Sequence, residues 1–209
     1  LDTSGHVAGK YQIVYENLFH YDLQKGELTP WLATEGHWVS EKEYVVKLRK
    51  GGKFNDGAAF TADDVLFTFN LGKTISAVEW AGMWKWTNEI IKIDEYTVKF
   101  SFSKPRYHEI LFLLYRVPIV PEHVWSELSD EEKLQTPNED CIATGAYKFG
   151  KALDDKMIWV RNDAWWGNNV FGAPAPKNIV FPLVYDNNVA LGMVMKGGLD
   201  ICNNYLPGL

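Results

Sequence analysis

From Val98 to Ser103 apolar and polar side chains alternate without a break, Val98, Phe100 and Phe102 against Lys99, Ser101 and Ser103. A period of two sends the two sets to opposite sides of a pleated strand, so one face rests on a core and the other meets water. Ile91 and Ile93 stand just before, and Asp94 with Glu95 supply a tight polar turn, which makes the pair a hairpin. The same alternation runs through residues 43–49, with Tyr44, Val46 and Leu48 inward, until Gly51 and Gly52 stop it. Between these strands, Thr61 and Asp64 have the spacing of a helix-start box, and Val65, Leu66 and Phe69 form an apolar stripe that ends near Gly72. Half-buried strands interleaved with capped helices, at no regular period and with no internal repeat, define an α+β or mixed α/β fold.

The later chain continues the mixture. Pro121 opens a helix at its first turn and Ser129 with Glu132 caps another, so residues 121–135 are helical in one or two pieces. Residues 137–143 read as irregular and as a domain boundary. Residues 145–149 and 157–161 look extended, residues 179–185 form a strand, and Asp186 caps a helix through Lys196 that Gly197 and Gly198 close. A short final strand covers residues 199–202. Residues 12–19 fit a helix or a strand and are left unassigned.

With 209 residues, 46% of them hydrophobic and 23% charged, the chain has enough apolar mass for a real core. A formal net charge of −6 leaves no broad positive field for nucleic acid. The longest unbroken apolar run, residues 110–115, is far shorter than the ~20 residues a membrane-spanning helix needs. No basic segment followed by an apolar stretch opens the chain, so a secretory signal is absent or was removed.

Reaction motifs are missing: no phosphate-binding glycine loop with Lys, no serine elbow, no paired His on a helix. His6, His20, His37, His108 and His123 are scattered, Cys141 and Cys202 fit no metal spacing and read as thiols rather than a disulfide, and no cofactor is implied. Adjacent carboxylates such as Asp63 with Asp64 diverge; only a long-range pair such as Glu16 with Asp163 stays open for hydrolysis. The chain therefore reads as a binder and not an enzyme. Its unusual feature is nine Trp, ten Tyr and eleven Phe. Trp80, Trp84 and Trp86 cluster before the hairpin; Trp80 and Trp84 share a face in helical geometry and read first as core, while a functional reading makes the three a stacking platform for sugar rings. Asn203, Asn204 and Tyr205 would supply amides and a hydroxyl beyond the last strand. Trp165 and Trp166, beside Asp163, read as packing.

The order of these segments resembles the extracytoplasmic solute-binding proteins of the oligopeptide-binding class, receptors for ATP-driven importers. GELTPW at residues 26–31, the stretch LATEGHWVSEKEYVVKLRKGGKFNDGAAFTADDVLFTFN at residues 32–70, IIKIDEYTVKFSF, VPIVPEHVW, ATGAYKF, WVRNDAWWG and MVMKGGLDI carry the likeness over nearly the whole chain. Where the class has a Gly-Thr-Gly-Pro turn, this chain has Ala143, Thr144, Gly145 and Ala146. The resemblance implies a periplasmic binding protein-like fold whose first lobe is discontinuous, residues 1–18 and 141–209, with a smaller α+β domain of residues 19–140 inserted and the second lobe absent. It also implies a periplasmic or extracytoplasmic location, membrane anchoring through a removed N-terminal segment, ABC permease subunits as partners, and a ligand gripped between lobes. The contact regions it marks are the loop with Ser4 and His6, the segment with Trp80, Trp84 and Trp86, and Asn203, Asn204 and Tyr205. Few charges line these regions, which favours a neutral oligosaccharide of cellobiose or chitooligosaccharide type. An oligopeptide ligand is the alternative within the class; a glycan-acting enzyme or a stand-alone carbohydrate-binding module is the alternative outside it.

Overall fold

The computed structural model describes residues 13–135 and 141–202. Three antiparallel sheets carry the fold. Strands β1 (Phe19–Asp22) and β2 (Glu27–Pro30) pair as a short ribbon. A four-stranded sheet follows in the order β3 (Ala33–Ser40), β4 (Glu43–Leu48), β6 (Thr97–Phe102), β5 (Thr87–Asp94). Helix α1 (Ala62–Thr74) then packs on the hairpin of β5 (Thr87–Asp94) and β6 (Thr97–Phe102). Helices α2 (Tyr107–Arg116), α3 (Glu122–Trp125) and α4 (Asp130–Gln135) lead toward a three-stranded sheet, β7 (Tyr147–Leu153), β8 (Lys156–Arg161) and β9 (Asn178–Pro182). The short α5 (Asn168–Phe171) interrupts β8 and β9, and α6 (Asn187–Met195) comes last.

The period-two strands lie as their patterns require. Val98, Phe100 and Phe102 are fully buried, and Tyr44, Val46 and Leu48 face the same interior. Phe69 of α1 meets Phe100 edge to face at 5.2 Å. The outward face is finished with ion pairs, Lys47 with Glu35 at 3.3 Å and Lys99 with Glu43 at 2.6 Å. Helix α1 begins at the expected box, Thr61 accepting from the Asp63 N–H at 3.3 Å and Asp64 accepting from the Thr61 N–H at 2.9 Å. It runs past Gly72 to Thr74, because Leu71 still accepts the Ile75 N–H at 2.8 Å. The second box also forms, with Glu132 receiving the Ser129 N–H at 2.8 Å. Asp186 caps α6 by accepting from Asn188 and Val189, and Gly197 closes it at φ +72.

Two expectations need correction. Residues 199–202 form no strand, since no neighbouring strand among the described residues offers them a ladder. The last strand also stops at Pro182 and not at residue 185, because its partner β8 begins opposite it at Lys156 and the Leu183 N–H goes to the turn carbonyl of Asp155 at 2.8 Å. No disulfide joins Cys141 and Cys202.

Within the unassigned stretch Phe19 opens β1, and the residues before it form a buried spine. Ile13 and Val14 are helical and residues 15–18 are irregular, with Val14, Tyr15, Glu16, Asn17 and Leu18 all buried. The spine carbonyls accept from distant parts of the chain: Val14 from the Gly145 N–H at 2.8 Å, Glu16 from Ile119 at 3.0 Å, and Leu18 from Ala33 at 2.8 Å. The Asn17 amide donates to the Tyr115 carbonyl. At Gly145 the approach is so close that a Cβ would collide with the Val14 carbonyl, so the glycine of the ATGAYKF segment is a spacing requirement.

Asp64 does double duty, taking the Glu122 N–H at 3.0 Å with its second oxygen and so fixing where α3 starts. Its pKa is raised, chiefly by burial. Asp64→Ala strands both N–H groups and is expected to cost about 2–3 kcal/mol in urea denaturation, at ~1–1.5 kcal/mol for each orphaned donor; Thr61→Ala removes one cap and costs about 1 kcal/mol.

Candidate functional site

The tryptophan segment lies between α1 and β5. Residues Ala81–Lys85 form a single 3-10 turn after Trp80. Trp80 is only 5% exposed and donates its indole N–H to the Thr68 carbonyl at 3.1 Å. Trp84 is half-buried and donates to the next carbonyl, Phe69, at 3.0 Å. Both rings therefore rest on the C-terminal half of α1, where Gly72 has no side chain to hold them off. Trp86, also half-buried, packs against Phe102 at 5.7 Å.

A cation covers one face of each partly exposed indole. Lys73 Nζ lies 4.0 Å from the Trp84 ring centroid, and the Arg106 guanidinium lies 5.2 Å from that of Trp86. The sequence reading of the three as one platform is thus corrected at Trp80, which is interior with its polar atom satisfied. Trp84 and Trp86 keep partial access to solvent. Ser4, His6, Asn203, Asn204 and Tyr205 lie outside the described residues.

A second constellation was not foreseen. Glu16 is 3% exposed, and its two oxygens receive the indole N–H groups of Trp165 at 3.1 Å and Trp166 at 2.9 Å. Trp31 and Thr144 also lie close enough to favour the charged carboxylate, although neither makes a hydrogen bond of normal geometry to it. Around this carboxyl the rings form a box: Trp31 is sandwiched between His20 at 3.9 Å and Phe171 at 4.0 Å, and Trp165 lies 5.9 Å from Trp31. Arg49 closes one side, its Nε donating to the Trp31 carbonyl at 2.7 Å and its guanidinium 5.4 Å from the Phe171 ring.

Burial pushes the Glu16 pKa up to about 7, against the indole hydrogen bonds that pull it down. Burial also lowers that of His20. Asp163, the other half of the long-range carboxylate pair, is on the surface with Arg161 at 2.7 Å. The two carboxylates thus have separate partners and do not flank one bond. Glu16 ties residue 16 to residues 165 and 166; the arrangement holds chain segments together. No local pattern announces it, although a lone Glu inside the apolar stretch IVYENLF is a charge that must find donors once buried.

With fold and site described, the class is that of a mixed α+β, periplasmic binding protein-like fold, with antiparallel sheets and helices around one core. The chain belongs to the bacterial extracellular solute-binding proteins, family 5, which it matches over residues 27–208. It is similar to the periplasmic oligopeptide-binding protein of an oligopeptide ABC transporter from Thermotoga maritima, at 45% identity and a TM-score of 0.87 over 94% of this chain and 37% of that one. A second structure of that protein has mannohexaose bound and matches at the same identity and TM-score. Among curated relatives, the oligopeptide-binding protein AppA of Bacillus subtilis is 27% identical over 77% of this chain and 30% of its own. The dipeptide-binding protein of Escherichia coli is 27% identical over 96% of this chain and 41% of its own. The chain spans between 30% and 41% of these relatives' lengths.

Two measurements test the geometry. Trp80→Ala should cost ~3–5 kcal/mol of stability, as for a large core ring. For Glu16, the folded protein retains a proton that the unfolded chain releases between pH 4.5 and about 7. The contribution of this group is therefore full below pH 4.5 and is lost as pH rises to about 7, on the order of 3 kcal/mol. Glu16→Gln cannot titrate, and urea denaturation across that window should show a flatter fall for the variant than for the parent; equal slopes would deny the buried proton.

Proposed function

We propose that this chain is part of the extracytoplasmic receptor of an ABC import system, which captures a small oligomeric solute and passes it unchanged to membrane permease subunits. The family match over residues 27–208 carries this reading. Related proteins are named as binding components of such transporters, and the 45% identical Thermotoga maritima protein is described as periplasmic. Among the described residues no helix is long and apolar enough to cross a membrane. We assign residues 1–18 and 141–209 to a discontinuous first-lobe unit and residues 19–140 to an inserted unit; the separation of the four-stranded from the three-stranded sheet supports that division. Ligand-facing positions proposed are Ser4, His6, Trp84, Trp86, Asn203, Asn204 and Tyr205, while Trp80 belongs to the interior.

For the ligand class, the names of the relatives favour an oligopeptide over the oligosaccharide expected from the sequence. AppA and the dipeptide-binding protein are both named for peptides, as is the Thermotoga maritima protein. One observation favours the second reading: the mannohexaose complex of that 45% identical protein. Aromatic rings such as Trp84 and Trp86 suit either ligand, stacking on sugar faces or packing against peptide side chains.

Calorimetric titration of the receptor-length protein with tri- to nonapeptides, and in parallel with mannohexaose and cellobiose, separates the readings. Saturable heat with peptides and none with the sugars is expected. The reverse ranking overturns the peptide assignment and leaves the receptor class standing. Shortened ligand recovered after incubation would overturn the receptor class itself, because a receptor returns its ligand intact.

A further inference from the structure

Residues 80–86 carry one charge of their own, Lys85, with Glu79 just before them, and on sequence that scarcity favours a neutral ligand. The fold alters the balance by bringing cations from two other elements. Lys73 comes from the last turn of α1 and sets its Nζ 4.0 Å from the Trp84 ring centroid. Arg106 comes from the cap of α2 and sets its guanidinium 5.2 Å from the Trp86 ring centroid. The chain leading to Arg106 is fastened there, because the Trp86 carbonyl accepts the Ser103 N–H at 3.0 Å and the Ser103 hydroxyl at 3.2 Å. Two half-buried indoles, two residues apart, thus each carry a positive cap, and exposed Lys85 stands between them in sequence.

Little negative charge answers these cations. Neither Lys73 nor Lys85 has an ion pair among the described residues. Glu109 takes the Arg106 Nη1 at 2.8 Å, which uses one N–H of a guanidinium that has several. Glu79 is turned to Arg116 at 3.0 Å, which leaves Glu89 of β5 as the nearest carboxylate in sequence without an ion pair among the described residues. A chain of net charge −6 therefore gathers, around two partly exposed indoles, a local field opposite in sign to the whole.

We infer that Lys73 and Arg106 make the Trp84–Trp86 segment a subsite for a carboxylate on the ligand, so that acidic ligands are held in preference to neutral ones of the same shape. This rests on the reading of Trp84 and Trp86 as ligand-facing positions of a receptor. A neutral sugar ring stacking on the capped faces would have to displace both cations from the π clouds that attract them. A carboxylate displaces neither. It accepts charge-assisted hydrogen bonds from the ammonium and the guanidinium, and the apolar rings beside them lower the local dielectric and strengthen the attraction. The carboxylate can belong to a peptide C-terminus, an acidic side chain or a uronic acid; the recognising chemistry is shared, and the test separates the sources.

Calorimetric titration of the receptor-length protein with ligand pairs that differ only in charge provides the test. The pairs are trialanine and its C-terminal amide, Ala-Glu-Ala amide and Ala-Gln-Ala amide, and trigalacturonate and its methyl ester. For the source that the subsite serves, the acidic member is expected to bind at least about tenfold tighter than its neutral partner, and high salt should shrink that ratio. Lys73→Gln combined with Arg106→Gln should bring the ratio close to one, whereas Lys73→Arg combined with Arg106→Lys, which keeps both charges, should preserve it. Lys73→Gln alone, which leaves the Arg106–Glu109 pair intact, serves if the melting temperature shows that the double variant folds poorly. The absence of an acidic preference in every pair overturns the inference, and so does failure of every acidic member to bind. An equal loss of acidic and neutral ligands in the double variant also overturns it, because the cations would then only support the rings. Neutral ligands that bind as tightly as acidic ones leave the receptor reading standing, while shortened ligand recovered after incubation removes that reading whatever the ratio.

Discussion

A short buried segment, residues 14–18, irregular after Val14, is the constraint on which the rest of the structure depends. All five side chains are buried, and a backbone buried outside helix or sheet must find partners for every N–H and carbonyl. Its carbonyls accept from across the whole chain, from Ala33, Ile119 and Gly145, and the Asn17 amide donates to the Tyr115 carbonyl. Each of these bonds fixes the start or end of another element: β3, the turn between α2 and α3, and the approach to β7. Losing the spine would therefore loosen all three sheets together.

Glu16 adds the longest of these ties. A carboxyl at 3% exposure is costly unless donors meet it, and two adjacent indoles do so from residues 165 and 166. Trp is suited to this task because its N–H donates without bringing an acceptor, while the ring fills the space around the acid. The stack of His20, Trp31 and Phe171 then excludes water from the site, which sustains the raised pKa. Much of the aromatic wealth of the chain is spent on this interior framework. A framework of this kind is rigid, and a preorganised surface loses less entropy when it binds.

The tryptophans before β5 show how one sequence feature divides between structure and function. Trp80 and Trp84 share a face, as helical spacing suggests, but that face lies on α1, with both indole N–H groups satisfied by consecutive carbonyls. Trp86 is held between Phe102 and Arg106. Proximity in sequence made the three look equivalent; depth beneath the surface, which depends on α1 and β6, distinguishes them.

What the chain fixed locally was legible without coordinates. The alternation at residues 98–103, the Thr61–Asp64 and Ser129–Glu132 boxes and the Asp186 cap each depend on neighbours within four residues, and each appears where its spacing places it. The family resemblance was legible too, because its motifs are contiguous. The spine at residues 14–18 and the Glu16 box were not, since their partners lie as far as 150 residues away; the burial of Trp80 agrees with the core reading of its helical spacing. A periodicity can show which side of a strand is apolar. Which carboxyl meets which indole, and whether an apolar face is covered, follow from how distant segments pack, and only the tertiary structure decides that.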